Sequence, residues 1–301
     1  MTPLPAISLA AVPGRRLATL ELAREIERRG FSGIYCASFG DAMGLCLSLA
    51  HVTTTIPFGT TIANIYARTP ADLGQSAAYL HEVSGGRFRL GLGVSHEAFN
   101  ARLGVTAGRP LADMRAAVEK IRAGAAQYGA LPPLVLATLR RKMVSLSAEI
   151  AEGAVWANAA RSHMRASLES IPAARRAAGF FVGDMIPTCI SDDREAAAAV
   201  NRKTLAAYLM LPNYRNYWKE AGYVEEMEAV ERALEAGQRE RLPSLMSERW
   251  LADCTLYGSA SAVREGLEAW REVGVSTPIV VPSSTRGGQM KAFEELLAAF
   301  D

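Results

Sequence analysis

The stretch Ser84-Gly85-Gly86-Arg87-Phe88-Arg89-Leu90-Gly91-Leu92-Gly93-Val94-Ser95-His96-Glu97 decides the reading of this chain. A helical pattern stops at the double glycine, and a short apolar strand, Arg87 to Leu92, follows. The strand runs out into Gly93-Val94-Ser95-His96, where titratable groups gather past its carboxyl end. In parallel α/β folds ligands bind at that end of the strands, so one stretch supplies both a fold unit and a candidate site. Gly91-x-Gly93-x-x-His96 is not a dinucleotide fingerprint, because a histidine stands where the third glycine belongs.

The same helix-glycine-strand unit recurs along the chain. Leu17, Leu20, Ala23 and Ile26 make a helical stripe that stops at Gly30, and Phe31 to Ala37 follows as a strand. Glu149 to Gly153 leads into Ala154 to Asn158, and Gly179 into Phe180 to Ile190. Val263, Leu267, Trp270 and Val273 stripe a helix that stops at Gly274, before a strand from Ser276 to Val281. Glycine past a helix end supplies the left-handed turn that lets the chain reverse. With Ala6 to Ala10, Ile56 to Ala63 and Pro133 to Thr138, there are eight strand candidates, each followed by a helical pattern. The strands are apolar on both faces, as strands covered by helices must be. Eight such units fit a closed (β/α)8 barrel of the TIM type, which needs about 250 residues, better than an open sheet.

No linker or low-complexity tract divides the chain, so 1–301 reads as one α/β domain with an excursion after the seventh strand. That excursion spans 191–258 and is helical in pattern. It carries the aromatic patch Tyr214, Tyr217, Trp218 and Tyr223, which suits a lid over the barrel, a ligand site or an oligomer contact.

Composition narrows the function classes. With 301 residues, 50% of them hydrophobic, the chain has ample material for a core, and a net charge of +2 does not argue for nucleic acid or an anionic membrane. No apolar run approaches the ~20 residues that span a bilayer, and the N-terminus shows no charged-then-apolar signal, so a cytoplasmic protein is expected. Cys36, Cys46, Cys189 and Cys254 form no CxxC pair and read as buried free thiols. His51 reads as a structural residue near a helix end. His81 and His163 lack metal-ligand partners at helical spacing, and His81-Glu82 is no zinc pattern. No metal site, Walker loop or Ser-His-Asp order is evident.

Several stretches, in order, carry a resemblance to a known family. They are Ile56-Pro-Phe-Gly-Thr-Thr-Ile-Ala-Asn64, Arg68-Thr-Pro70 with the helix to Leu80-His-Glu-Val-Ser-Gly-Gly-Arg-Phe88, and Leu90 to His96. Pro132-Pro-Leu-Val-Leu-Ala137, Leu256-Tyr-Gly-Ser259 and Thr277-Pro-Ile-Val-Val281 continue it. Together they resemble the luciferase-like monooxygenase superfamily, flavin- or deazaflavin-dependent oxidoreductases on a (β/α)8 barrel.

The resemblance implies a cofactor site. A non-prolyl cis peptide would fall at Thr61-Ile62, behind the tricyclic ring, with Asn64 contacting the ring. Glu97 and Asn100 match a Glu-x-x-Asn element of deazaflavin-dependent relatives if His96 is an insertion. The carboxylate would then move a proton and the asparagine would touch the cofactor. His96 could titrate near neutrality and serve in its place. Equally, Glu97 suits a solvated helix start. The implied cofactor contacts are Ser38, Thr61, Ile62, Asn64, Gly93, Asn100, Ala137, Thr138, Arg140 and Arg141, with Glu97 and His96 as the catalytic pair.

Two departures stand out. Arg140-Arg141-Lys142 places three cations at a helix start, against the macrodipole, where relatives hold the cofactor phosphate on a Gly-Pro loop. The histidine that many relatives carry after the second strand is replaced here, since the matching pair is Ser38-Phe39.

The leading expectation is an enzyme moving a hydride between deazaflavin coenzyme F420 and a small organic substrate. The alternatives are an FMN-dependent monooxygenase and a flavin-binding barrel without turnover. A homodimer is expected from the resemblance and from helices with apolar faces to spare.

Overall fold

The computed structural model describes residues 3–38 and 40–301. Phe39 therefore lies outside the described residues. The strands are β1 Ala6–Leu9, β2 Gly33–Ala37, β3 Phe58–Thr61, β4 Ala63–Asn64, β5 Phe88–Gly93, β6 Leu134–Ala137, β7 Gly153–Ala157, β8 Phe181–Ile190, β9 Leu256–Gly258 and β10 Thr277–Ser283. They form one ten-stranded sheet of order β10-β1-β2-β3-β5-β6-β7-β8-β9, with β4 on β5 and β10 also on β8. The sheet closes into an eight-staved parallel barrel ringed by helices. The expected strand from Ile56 to Ala63 is shorter at its start and breaks at Ile62, so β3 and β4 are two pieces of one stave. β9 is a short addition beside the carboxyl end of β8, through Thr188↔Leu256.

The described residues fall into two compact units. The first is Met1–Val155 with Ser170–Gly183. Its staves register in series, Ala6↔Gly33, Ile34↔Phe58, Phe58↔Phe88, Leu90↔Leu134 and Val135↔Gly153. The helix Pro70–Val83 starts with Thr69 accepting from the Asp72 amide and with proline in its first turn. It stops where Gly85 and Gly86 take φ of 64° and 83°. Arg87 then points back over the turn. Its guanidinium donates to the carbonyls of Ser84, Ile56, Ala50 and Thr53 and to the Thr53 hydroxyl, at 2.8–3.1 Å. One side chain thus ties two helix ends to the start of β3.

The glycines of β5 answer to its neighbour. Gly59 pairs with Arg89 and Ala63 with Leu92, so the offset changes from 89 − 59 = 30 to 92 − 63 = 29. The β3–β4 stave carries one extra residue, a bulge, across Thr60–Ile62. The bulge turns the Thr60 carbonyl onto β5, where a Cβ on Gly91 would stand 1.9 Å from that oxygen. The Thr60 hydroxyl donates to the Gly91 carbonyl at 2.7 Å across the same gap.

Two expectations about helices and glycines need correction. The helix Arg16–Arg28 buries Thr19, Leu22, Ala23 and Ile26, while Leu17 is 80% exposed. Burial follows the face toward the barrel, and Leu17 lies outside that face. Gly153 has no positive φ. It opens β7, where a Cβ would stand 2.6 Å from the Phe181 Cβ, so it is needed for close packing and not for reversal.

The second unit is Trp156–Glu169 with Asp184–Asp301. Here the excursion consists of helices Arg194–Leu209, Pro212–Glu220, Val224–Glu235 and Glu248–Cys254 with a 3-10 stretch Arg239–Leu245. The aromatic patch is its core. Tyr214, Tyr217, Trp218 and Tyr223 are all buried, with ring centroids 5.4 Å apart for Tyr214–Trp218 and 4.8 Å for Trp218–Trp250. Aromatic rings bury large areas, so these residues serve the excursion's own packing before any ligand.

Two buried carboxyls lie in this unit. Asp253 is satisfied three times, by the Ser162 amide at 2.9 Å, the Ser162 hydroxyl at 2.6 Å and the Tyr223 hydroxyl at 2.8 Å. Asp184 is fully buried, receives only the Ala159 amide at 3.4 Å, and has one oxygen without a partner. Burial pushes its carboxyl well above the ordinary carboxylate range.

Two outcomes follow from these contacts. Gly91→Ala should cost about 3 kcal/mol in urea unfolding, because the obstacle is backbone. Gly85→Ala, with open space around it and only the φ of 64° to resist, should cost about 1 kcal/mol. For Asp184, the folded state binds a proton that the unfolded chain releases above its ordinary value of 3.8. Folding stability from this group therefore falls as pH rises from there toward the raised folded value. Asp184→Asn should match the parent at about pH 4 and exceed it at about pH 8. Parallel pH–stability curves for the two proteins would contradict this account.

Candidate active site at the carboxyl ends of β3 to β6

The first unit gathers its candidate residues where β3–β4, β5 and β6 end. The Thr61-Ile62 peptide is cis, as the resemblance implied. A Cβ on Gly93 would stand 2.6 Å from the Ile62 Cγ1 and 3.1 Å from the Ala137 Cβ, so these three residues meet. The missing side chain lets Ile62 pack directly on the Gly93 backbone beside Ala137. Ala37 is in register with Thr61, which places Ser38 one step beyond on the neighbouring stave.

Unpaired polar groups lie at the same end of the staves. Thr61 and Thr138 are each 6% exposed, and neither hydroxyl has a hydrogen-bond partner. Buried hydroxyls are normally paired, so two orphans, on stave ends separated by β5, suit a polar-edged ligand. A flat heteroaromatic ring system, with carbonyl and N–H groups on its edge, fits these unpaired hydroxyls.

Asn64 and Asn100 are also together, but they engage each other. The Asn64 Nδ2 donates to the Asn100 Oδ1 at 2.7 Å, and the Asn100 Nδ2 donates to the Val94 carbonyl at 3.0 Å. Both residues are buried. The turn that Asn100 holds includes Ser95, whose φ is 55°. His96 follows as the residue preceding the short helix Glu97–Arg102. Burial lowers the His96 imidazole below its ordinary 6.5, so it is neutral at neutral pH and available to accept a proton. Glu97 is exposed in the first turn of that helix, where a carboxylate meets the positive end of the dipole.

The cation run lies as the sequence suggests. Arg140 precedes the helix Arg141–Ile150, whose first turn has no acid and no side-chain cap. Arg140, Arg141 and Lys142 are all exposed. The first amides of that helix and these cations form a start suited to an anion.

Two contributors escaped the sequence. The Tyr66 amide donates to the Asn64 Oδ1 at 3.1 Å, and the Tyr66 hydroxyl donates to the Asp113 Oδ2 at 2.7 Å. The position of Tyr66, two residues past Asn64, was the available clue. Asp113 lies in a helix of its own, Pro110–Ala123, and nothing in the sequence connects it to the site.

The sequence profile of the luciferase-like monooxygenase family matches residues 9–277. The chain belongs to that family. Its members are flavin- or coenzyme F420-dependent oxidoreductases, and this chain is an enzyme of that class. The luciferase-like chain is 25% identical over 315 aligned positions to a Mycobacterium tuberculosis protein named as a coenzyme F420-dependent oxidoreductase, covering 88% of this chain and 90% of that one. Its fold is similar to that of the coenzyme F420-dependent tetrahydromethanopterin reductase from Methanopyrus kandleri, with a TM-score of 0.75, 19% identity and 100% coverage of both chains. It is also similar to the FMN-bound oxygenating constituent of 3,6-diketocamphane monooxygenase from Pseudomonas putida, with a TM-score of 0.61, 14% identity, and 98% and 95% coverage. Among the described residues, no helix is long and apolar enough to cross a membrane, and no three His, Cys, Asp or Glu side chains group to hold a metal.

Proposed function

We propose that this luciferase-like enzyme uses coenzyme F420 at the ends of β3 to β6 to transfer a hydride to or from a small, fairly apolar organic substrate. The observation that carries the reading is the pair of buried, unpaired hydroxyls of Thr61 and Thr138 at the stave ends where Ile62 and Ala137 pack on Gly93. The M. tuberculosis relative, whose name specifies coenzyme F420 and which aligns over 88% of this chain, favours the deazaflavin. When bound, the deazaflavin supplies the redox chemistry.

The chain's own residues do the rest. Ile62, packed on Gly93 beside Ala137, offers an apolar face to the ring. Thr61 and Thr138 offer hydrogen bonds to the ring edge, and Ser38 stands beside them. The helix start at Arg141, with Arg140, takes the cofactor phosphate, since amides and guanidinium groups then share one target. His96, neutral through burial, serves as the proton acceptor, and Glu97 stands exposed beside it at the helix start.

The second reading is an FMN-dependent monooxygenase, supported by the similar fold of the FMN-bound P. putida protein. A third, a barrel that binds a flavin without turnover, is motivated by Ser38-Phe39 in place of the usual histidine-bearing pair.

Fluorescence titration with coenzyme F420 and, separately, with FMN distinguishes these readings. Micromolar or tighter binding of F420 alone is expected. Binding of FMN alone would transfer the reading to the monooxygenase, and binding of neither would overturn both. Arg140→Ala with Arg141→Ala should weaken binding roughly tenfold, less as salt rises, because the exposed guanidinium groups are screened. Unchanged binding at low salt would place the phosphate elsewhere.

We also propose a homodimer. Leu47, 39% exposed, and Tyr79, 54% exposed, lie on the neighbouring helices Ala42–Val52 and Pro70–Val83 and form part of an apolar surface suited to a second copy. Light scattering should report twice the 32.3 kDa chain mass, and a monomer at micromolar concentration would refute it.

A further inference from the structure

We infer that Asn100 is a positioning residue that holds the turn Val94–His96 in place through Asn64, and is not a cofactor ligand. The inference deepens the proposed function, because that turn presents His96 and Glu97 to the candidate site.

A primary amide offers two acceptor sites and two donors. Asn100 is 1% exposed, and both ends of its side chain are engaged, the oxygen by the Asn64 Nδ2 and the nitrogen by the Val94 carbonyl. Asn64 is committed in turn, since its oxygen accepts from the Tyr66 amide. Tyr66 continues the chain to Asp113, and burial, together with the carboxylate that receives the tyrosine hydroxyl, raises the phenol to about 12. An unbroken series of hydrogen bonds therefore runs from Asp113 through Tyr66, Asn64 and Asn100 to the carbonyl that begins the turn.

The turn needs such a hold. Ser95 adopts a φ of 55°, which residues with side chains rarely take. The helix after it, Glu97–Arg102, has six residues, too few to be stable alone. Its first-turn bonds, from the Phe99 and Asn100 amides to the His96 carbonyl, lie within the same short segment. The Asn100 side chain ties that segment to the β3–β4 stave, and the Val105 amide on the Asn100 carbonyl closes the far side. Where His96 and Glu97 stand is thus set from Asn64.

The test uses the full chain without cofactor, so that its outcome is independent of which cofactor binds. Asn100→Ala and Asn64→Ala are prepared singly and together, with Asn100→Ser in case the alanine variant does not fold. Hydrogen exchange at the amides of 95–97 and NMR titration of His96 are followed. Release of the turn should speed exchange about tenfold or more, and should move the His96 midpoint up toward 6.5 as the ring meets water. Val263→Ala, in the second unit, should lower thermal stability without moving either readout. Because Asn100 acts through Asn64, the double variant should be no worse than Asn100→Ala alone. F420 or FMN affinity, whichever the parent shows, should change less than about threefold. Unmoved exchange and titration in Asn100→Ala or Asn100→Ser overturn the inference, as does a tenfold or greater loss of affinity with an unmoved turn. A parent that binds neither cofactor ends the proposed function, while the exchange and titration results still decide the role of Asn100.

Discussion

The Thr60 carbonyl lying over Gly91 is the constraint on which the candidate site depends. One extra residue in the β3–β4 stave forces the bulge, and the bulge drives a backbone oxygen into space that any side chain on β5 would fill. Gly91 makes that approach sterically allowed, and the Thr60 hydroxyl fixes it by bonding across the gap. Beyond the bulge the stave resumes in a new register, which sets Ile62 against Gly93 and brings Asn64 within reach of Asn100. The packing of Ile62 on Gly93 and the hydrogen-bonded chain are both consequences of one inserted residue. Arg87 supports the same staves from the opposite end, where a single guanidinium replaces what would otherwise be several unpaired carbonyls.

The second unit shows the same economy in its polar groups. Asp253 and Asp184 are both buried, yet their surroundings differ. Asp253 receives three donors, whereas Asp184 receives a single long hydrogen bond that opposes its burial only weakly, and burial raises its carboxyl well above the ordinary range. Around them, Tyr214, Trp218, Trp250 and Tyr223 pack as a core for the helical excursion.

Much of the fold was legible because its determinants are local. Gly30, Gly85, Gly179 and Gly274 each mark a helix end through positive φ, a property a sequence shows directly. Gly153 did not obey the rule, because its need is for space against Phe181, 28 positions away and invisible to a local pattern. Leu17 likewise fits a helical stripe by spacing alone, but which face of a helix is buried depends on where the barrel lies. The aromatic patch shows the same limit, since composition registers Tyr214 to Tyr223 as a cluster without saying whether it faces a ligand or its own helices.

By itself, the sequence determined the barrel and the family, and it marked one strand end as the candidate site. Short apolar strands alternating with striped helices leave few other folds, and the Ser84 to His96 run puts its titratable groups at a strand end. Tertiary structure alone decided which neighbours the candidate site residues have. Asn100 reads as a ligand by position, but its side chain is committed to Asn64, 36 residues away, and to Val94. Thr61 and Thr138 look unremarkable in sequence and become conspicuous only when burial leaves both hydroxyls unpaired. Hydrogen bonding and desolvation are properties of neighbours in space, and a linear pattern specifies those neighbours only after the chain has closed.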